Sequence, residues 1–246
     1  MHAMQHNHFE GADHPEGESL SRHTIHSKSD IHEKGIETHL ERIQHEFRNG
    51  FDFLKKYPKS VTIFGSSMTK PESPRYAQAQ EVASRIIKDT GYAVLTGGGP
   101  GIMEAVSKGA KEAGGPSVGL RIHILREHSN SYLTDSMNFT YFFARKAMLA
   151  FAAETYIFMP GGYGTFDELF GILTLIQTGK IPRVPIILFD SSFWNPIKEY
   201  IATVMLGEDR TIDPHDMDLF EVTDSADRVV EIIRKAPTSE WWRSIN

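Results

Sequence analysis

The sequence predicts an α/β protein built on a doubly wound, mostly parallel sheet. Between residues 60 and 235, short apolar runs alternate with segments in which apolar residues recur every three or four positions. Two of the apolar runs end in glycine-rich turns that lead into a helical pattern. Such alternation is typical of a parallel sheet with helices on both faces, and 246 residues suit one such domain with appendages.

The composition is that of an ordinary globular protein, with 40% hydrophobic and 24% charged residues. The formal net charge of −6 argues against general binding to nucleic acid, which requires a basic surface. The absence of cysteine excludes disulfides, thiolate metal sites and a cysteine nucleophile. No apolar run has membrane-spanning length and the N-terminus lacks a signal-peptide pattern, so we expect no membrane association and a cytoplasmic location.

The first 35 residues differ in composition from the rest of the chain. They are rich in His, Glu, Ser and Gly and have few large apolar residues, so we expect a disordered tail. Nine of the twelve histidines lie between His2 and His45, but their irregular spacing favours a solvated tail over a metal site. Residues 36–59 are assigned to an amphipathic N-terminal helix, because apolar residues recur at spacings of three and four from Ile36 to Leu54.

The sheet domain is assigned to residues 60–237, and residues 238–246 to a C-terminal tail. Apolar runs predict strands at 61–64, 92–95, 117–122, 137–141, 155–159 and 184–189, with an edge strand at 219–222. Helical spacing predicts helices at 74–88, which has a proline at its start, and at 102–113, 142–153, 169–177, 194–205 and 226–235. Residues 123–136 are predicted to form a loop that acts as a lid or as an oligomer contact.

Two glycine-rich turns, at 96–101 and 160–164, each join a predicted strand to a predicted helix. Glycine lets the backbone approach an anion closely, and the N–H groups of the first helical turn point at such a ligand. Because crossovers between parallel strands are right-handed, we expect both turns, residues 65–67 and the cations Arg145 and Lys146 to open onto one crevice. Each turn alone could serve only to reverse the chain, but together these features predict a nucleotide pocket.

Glu168 is the better candidate for a working carboxylate at this crevice. At about 100° per residue, it lies on the flank of the apolar arc of its helix, which includes Phe170, whereas Asp167 lies nearly opposite that arc. An acid near a helix start can also do no more than cap the helix. We expect Thr165 at the N-cap, where its hydroxyl either caps the helix or contacts a phosphate.

These motifs resemble those of the LONELY GUY family, the cytokinin riboside 5′-monophosphate phosphoribohydrolases that were long mislabelled as lysine decarboxylases. The resemblance covers roughly residues 60–205. It is carried by the run Gly97-Gly98-Gly99-Pro100-Gly101-Ile102-Met103-Glu104-Ala105, by Arg145-Lys146, and by Pro160-Gly161-Gly162-Tyr163-Gly164-Thr165 with Glu168 beyond it. It implies a Rossmann-like fold, homo-oligomers of two or more chains, and hydrolysis of a nucleoside 5′-monophosphate, AMP or a cytokinin riboside 5′-monophosphate, to free base and ribose 5-phosphate.

The resemblance makes Glu168 and Arg145 the catalytic residues. A carboxylate near the anomeric carbon can stabilise an oxocarbenium-like transition state and orient the attacking water. The predicted substrate-binding residues are Ser66, Gly97, Gly98, Gly99, Lys146, Gly161, Gly162, Tyr163, Gly164 and Thr165. Residues 161–165 are assigned to the phosphate and the others to ribose and base, and no step requires a metal or a cofactor.

Three other functions fit these residues less well. A non-catalytic nucleotide-binding sensor or carrier would keep the glycine turns but would not need Arg145 and Glu168 together. A purely structural oligomer would leave both turns without a purpose. Lysine decarboxylation would need a Schiff-base lysine beside a phosphate cup, and Lys146 is the only lysine predicted near the crevice.

Overall fold

The computed structural model describes residues 33–122 and 130–236. The contacts within the chain divide it into a unit of residues 1–39 and a unit of residues 40–246. The predicted tails lie outside the described residues, except that residues 33–35 form the start of the first helix rather than the end of a tail. Residues 123–129 of the predicted loop also lie outside them. No helix in the described ranges is long and apolar enough to cross a membrane.

Seven parallel strands form a single sheet in the order β4-β3-β2-β1-β5-β6-β7. The strands are β1 Ser60–Phe64, β2 Ala93–Thr96, β3 Ser117–Ile122, β4 Asp135–Phe139, β5 Thr155–Phe158, β6 Ile186–Phe189 and β7 Glu221–Thr223. The helices are α1 Glu33–Leu54, α2 Pro74–Thr90, α3 Ile102–Glu112, α4 Phe142–Phe151, α5 Tyr163–Gln177, α6 Ser191–Tyr200 and α7 Ala226–Lys235. The predicted fold class, a doubly wound α/β sheet, is therefore confirmed.

The central strands are covered on both faces. Every residue of β1, β2, β5 and β6 is buried, as expected for apolar strands between two layers of helices. One face packs against α4, α5 and α6, with Trp194 fully buried. The other face packs against α2, α3 and α7, where Ile86 and Ile102 are fully buried.

Several strands and helices begin or end at residues other than those predicted, because tertiary contacts and caps set their limits. Strand β4 begins at Asp135, two residues earlier than predicted, because it pairs with β3 in a register that starts at Val118. The predicted helix 194–205 begins three residues earlier, at Ser191 on an Asp190 cap, and continues past Tyr200 as a π-helix from Ile201 to Glu208. Part of the predicted edge strand is a 3₁₀ turn, Pro214–Leu219.

The sequence predicted Thr165 as the N-cap of α5, and this prediction is wrong. The cap lies three residues earlier, at Gly162, which takes the extended cap conformation with φ −97° and ψ −156°, so the helix begins at Tyr163. The carbonyl of Gly162 accepts the first helical hydrogen bonds from the N–H groups of Thr165 and Phe166, at 3.0 and 3.1 Å. Thr165 is therefore a buried residue inside the first turn.

The strand order reverses between β1 and β5, which lie side by side at the centre of the sheet. In open α/β sheets, ligands bind where the loops that leave two such strands diverge to opposite faces. Here the turn after β1 begins at Gly65 and the turn after β5 begins at Met159, so a site is expected between them.

Candidate active site

A crevice of about 350 Å³ lies at the carboxyl edge of the sheet, where the strand order reverses. It is lined by residues that follow β1, β2 and β5, together with residues of α4 and α5. Eight predicted site residues line it: Ser66, Gly97, Arg145, Gly162, Tyr163, Gly164, Thr165 and Glu168. The structure thus brings together most of the site predicted from the sequence.

Backbone hydrogen bonds join the three loops of the crevice through Ser66. Its N–H donates to the carbonyl of Pro160 at 3.0 Å, and its carbonyl accepts from the N–H of Ile102 at 2.9 Å. The first bond links the loop after β1 to the loop after β5, and the second links it to the start of α3. The Ser66 hydroxyl accepts from the N–H of Met68 at 3.0 Å. The site framework is therefore fixed by the backbone.

The turn after β2 needs glycine for reasons of packing. Gly98 and Gly101 have φ of +74° and +70°, which side chains disfavour. A Cβ on Gly101 would meet the backbone of Ser66 and Ser67. A Cβ on Gly97 would collide with the guanidinium of Arg145.

The guanidinium of Arg145 lies in a narrow slot across Gly97. Its Nε donates to the carbonyl of Leu120, within β3, at 2.7 Å. Its Nη2 occupies the place where a Cβ on residue 97 would be, and its Cζ lies 5.9 Å from the centre of the Phe142 ring. The fold therefore holds the guanidinium of Arg145 in a defined position at the crevice.

Glu168 is a buried carboxylate, with only 6% of the residue exposed. Among the described residues, its Oε2 is one of two buried side-chain oxygens without a hydrogen-bond partner, the other being Thr62 Oγ1. Burial raises the pKa of Glu168 to about 7, although the positive charges of Lys146 and Arg145 lower it. A carboxyl that titrates near neutrality in a crevice is suited to proton transfer or to stabilising positive charge.

The turn after β5 contains glycines of two kinds. The side chain of Thr165 packs against Gly161 and leaves no room for a Cβ there. At Gly162 and Gly164, in contrast, an added Cβ would meet nothing within 4 Å, and neither residue has a positive φ. Internal packing therefore does not explain why these two positions are glycine.

Four predicted site residues do not line the crevice: Gly98, Gly99, Gly161 and Lys146. Lys146 lies instead in a neighbouring groove of about 780 Å³ between α4 and α5. Its Nζ pairs with the Asp167 carboxylate at 2.6 Å, because α4 turns residue 146 away from Arg145 and toward α5. The structure agrees with the helix geometry that favoured Glu168, since Glu168 is buried and Asp167 is exposed. Phe170, which was placed in the apolar arc, is instead 38% exposed and lines the groove.

Sequence reasoning missed Asn130, which lies in the predicted loop. The residue is buried, and its Nδ2 donates to Ser107 Oγ at 3.0 Å and to the carbonyl of Gly99 at 3.4 Å. Its Oδ1 accepts from the N–H of Tyr132 at 3.0 Å. Asn130 thus ties the turn after β2 to α3, a contact that leaves no periodic signal in the sequence.

Comparison with known proteins assigns the chain to a family. A family model described as possible lysine decarboxylase matches residues 103–233, more than half of the chain. A cytokinin riboside 5′-monophosphate phosphoribohydrolase of Rhodococcoides fascians is 30% identical over 148 residues, which are 58% of this chain and 74% of that protein. The chain belongs to this phosphoribohydrolase family, the LONELY GUY family. The resemblance found in the sequence is confirmed.

A further relative and two solved structures give a similar picture. LOG5 of Arabidopsis thaliana, named as the same phosphoribohydrolase, is 27% identical over 183 residues, covering 73% of this chain and 79% of that one. The solved structure of TM1055, a structural genomics target, superposes with a TM-score of 0.56 at 27% identity, over 72% of this chain and 99% of that chain. A molybdenum cofactor carrier protein of Chlamydomonas reinhardtii, with a TM-score of 0.53 at 19% identity over 72% of this chain and 97% of that one, shares the fold.

Proposed function

We propose that this chain hydrolyses the N-glycosidic bond of a nucleoside 5′-monophosphate to a free base and ribose 5-phosphate. The observation that carries the proposal is the buried carboxylate of Glu168 in the same crevice as the tightly held guanidinium of Arg145. The relatives named as cytokinin riboside 5′-monophosphate phosphoribohydrolases support the same reaction.

Glu168 is assigned to the bond-breaking step. Loss of the base builds positive charge on the ribose, and a carboxylate beside the anomeric carbon stabilises that charge. The ionised carboxylate can also orient the attacking water and accept its proton. Since burial raises the pKa of Glu168 to about 7, the active, ionised form predominates only above that pH.

The 5′-phosphate is assigned to the start of α5, at residues 162–165. Gly162 and Gly164 line the crevice, and open space lies where their side chains would be. A ligand that approaches the backbone closely would account for both glycines, and the N-terminus of a helix favours an anion there. Arg145 is assigned to phosphate or ribose oxygens, since charge-assisted hydrogen bonds are about twice as strong as neutral ones.

The base is assigned to the side of the crevice that adjoins the groove between α4 and α5. Tyr163 and Glu168 line both cavities, so the two meet at these residues. The groove is walled by the aromatic rings of Phe143, Phe166 and Phe170. Such a surface suits a base with an apolar substituent, as in a cytokinin riboside 5′-monophosphate, and AMP is the unsubstituted alternative.

We also propose that the chain forms homo-oligomers through the face of α4 and α5. Phe142 and Phe143 are each 51% exposed there, and Tyr163 is 98% exposed. Large apolar side chains clustered on one surface are typical of an interaction site.

Light scattering after gel filtration should give a mass of at least two chains, and Phe143→Ser together with Phe170→Ser should shift it to one chain. A single-chain mass for the unaltered protein would contradict this proposal.

The reaction is tested by incubating the protein with AMP and with a prenylated AMP and separating the products by chromatography. We expect release of the base and ribose 5-phosphate, with kcat/KM rising as pH increases through about 7. Glu168→Gln should lower kcat by about 10³-fold. Asp167→Asn removes the adjacent acid outside the crevice and should keep turnover within a few-fold.

Binding without turnover would favour the carrier function instead. If the unaltered protein bound either nucleotide but released no base, the catalytic role assigned to Glu168 would be wrong. The lysine decarboxylase description has a separate test, an absorbance scan after addition of pyridoxal phosphate. We expect no aldimine band, because Lys146 pairs with Asp167 in the groove. A stable band that disappears in Lys146→Ala would contradict this expectation.

A further inference from the structure

Residues 47–51 of helix α1 contact α4, the helix that carries Arg145. The two helices approach closely at Gly50, where an added Cβ would lie 2.5 Å from the sulfur of Met148. Aromatic rings pair on either side of this contact, Phe47 with Phe143 at 6.4 Å and Phe51 with Phe151 at 5.8 Å. Helix α1 precedes the segment that matches the family model, which begins at residue 103.

Glu46 of α1 binds the turn that leads into α4. One carboxylate oxygen accepts from the N–H of Thr140 at 2.7 Å, and the other accepts from the N–H of Tyr141 at 3.2 Å. These two residues are the whole connection between the end of β4 at Phe139 and the start of α4 at Phe142. A single carboxylate therefore holds both N–H groups of the connection.

Helix α4 has no capping side chain of its own. Its N-cap, Tyr141, makes no side-chain hydrogen bond to the first turn. The Glu46 carboxylate supplies a negative charge at this end, where the helix dipole is positive, and its two bonds to N–H groups are charge-assisted. The start of α4 is therefore fixed by a residue 94 positions earlier in the chain.

The position of Arg145 depends directly on this turn. The carbonyl of Tyr141 accepts the helical hydrogen bond from the N–H of Arg145, at 3.1 Å. Beyond the helix, the guanidinium must fit between the Leu120 carbonyl and Gly97. A small displacement of α4 would remove it from this slot, and displacements of about 1 Å at reacting groups can cost about 10²-fold in rate.

We propose that Glu46 is a positioning residue that sets Arg145 in the crevice by fixing the start of α4. The inference rests on the proposed function of Arg145 and extends it to a helix outside the matched family segment. Both hydrogen bonds of Glu46 go to the turn, and neither Glu46 nor the two turn residues line the crevice.

The test is a double-mutant cycle between Glu46→Gln and Arg145→Lys, with Glu41→Gln as a matched control. Glu46→Gln keeps the size of the side chain but presents an NH₂ group, a donor, to one of the two N–H groups. Glu41→Gln removes the same charge from an exposed position of α1. We expect Glu46→Gln to lower kcat/KM for the nucleotide about tenfold and Glu41→Gln to leave it unchanged. The loss should divide between kcat and KM as it does in Arg145→Lys.

In the Arg145→Lys background, Glu46→Gln should have little further effect, because both changes disturb the same contact. Losses that multiply, or a Glu46→Gln variant as active as Glu41→Gln, would overturn the proposal. A second readout does not depend on turnover. Amide hydrogen exchange at residues 140–145 should be at least tenfold faster in Glu46→Gln than in Glu41→Gln, with exchange in α2 and α7 unchanged.

This second readout separates the two proposals. A protein that hydrolyses no nucleotide would refute the proposed function, while faster exchange at residues 140–145 would still support the positioning role. Equal exchange in the two variants would overturn that role, whatever the activity.

Discussion

The two glycine-rich turns of the crevice have similar sequences but different structural reasons for their glycines. In the turn after β2, Gly98 and Gly101 have positive φ, and a side chain on Gly97 would collide with Arg145. In the turn after β5, Gly162 and Gly164 have ordinary backbone angles and open space around them. Packing and backbone conformation therefore explain the glycines of the first turn, whereas in the second turn they leave Gly162 and Gly164 unexplained, and the proposed phosphate site would account for these two.

This contrast separates two ways in which a site residue can matter. Replacing a glycine of the first turn should disturb the framework and the position of Arg145. Replacing Gly164 should leave the framework intact and obstruct only a ligand. Variants of the first turn should therefore lose stability, whereas a Gly164 variant should lose substrate affinity and keep its stability. Both quantities can be measured for variants of both turns.

The largest effect is expected for Gly101→Ala. A Cβ there would lie 2.7 Å from the carbonyl carbon of Ser67, and the backbone, with φ +70° and ψ −126°, is one that alanine avoids. We expect a loss of about 3 kcal/mol or more in the free energy of unfolding. Urea denaturation of Gly101→Ala beside Gly164→Ala measures the difference, and equal stabilities would remove the contrast between the turns.

The buried carboxyl of Glu168, which follows the second turn, should also destabilise the folded protein when it ionises. The native state holds the proton of Glu168 up to about pH 7, whereas an unfolded glutamate loses it near pH 4.5. Ionisation therefore destabilises the native state over this interval, by about 3 kcal/mol in total. Glu168→Gln should be more stable than the unaltered protein at pH 8 and equally stable at pH 4, as measured by urea denaturation, with Glu41→Gln as the control for loss of one acid. A constant difference at both pH values would contradict the shifted pKa.

Gly97→Ala should lower activity by more than it lowers stability. The added methyl group occupies the slot of the Arg145 guanidinium, so the side chain must move away. We expect kcat/KM to fall about 10²-fold and to match Arg145→Ala, because both variants lose the same contact. Steady-state kinetics provide the measurement. A Gly97→Ala variant with near-normal activity would show that the slot does not fix the arginine.

The smallest effect on the fold is expected for Gly164→Ala. Alanine is favoured over glycine inside a helix by about 1 kcal/mol, and the methyl group meets no protein atom within 4 Å. Stability should be equal or slightly higher, whereas the KM for the nucleotide should rise about tenfold if a phosphate lies against the backbone. An unchanged KM would move the phosphate away from the start of α5.

The fold and most of the site could be predicted from the sequence because both leave periodic or local signals. Apolar runs marked the buried strands, and helix geometry separated Glu168 from Asp167. The start of α5 and the direction of Lys146 could not be predicted, since they depend on the conformation of Gly162 and on Asp167 across the groove. Asn130 and Glu46 were missed because their partners are backbone groups and a distant hydroxyl.

The pairing of β1 with β5 also bears on how the protein folds. The backbone N–H of Ser60 donates to the Glu154 carboxylate, 94 residues away, at 2.8 Å beside the first paired residues of the two strands. Closing so long a loop has an entropic cost that local helices do not have, and contacts between distant residues form slowly. The crevice exists only once these strands are paired. During refolding, nucleotide binding should therefore return with the slowest phase, after the far-ultraviolet signal of the helices.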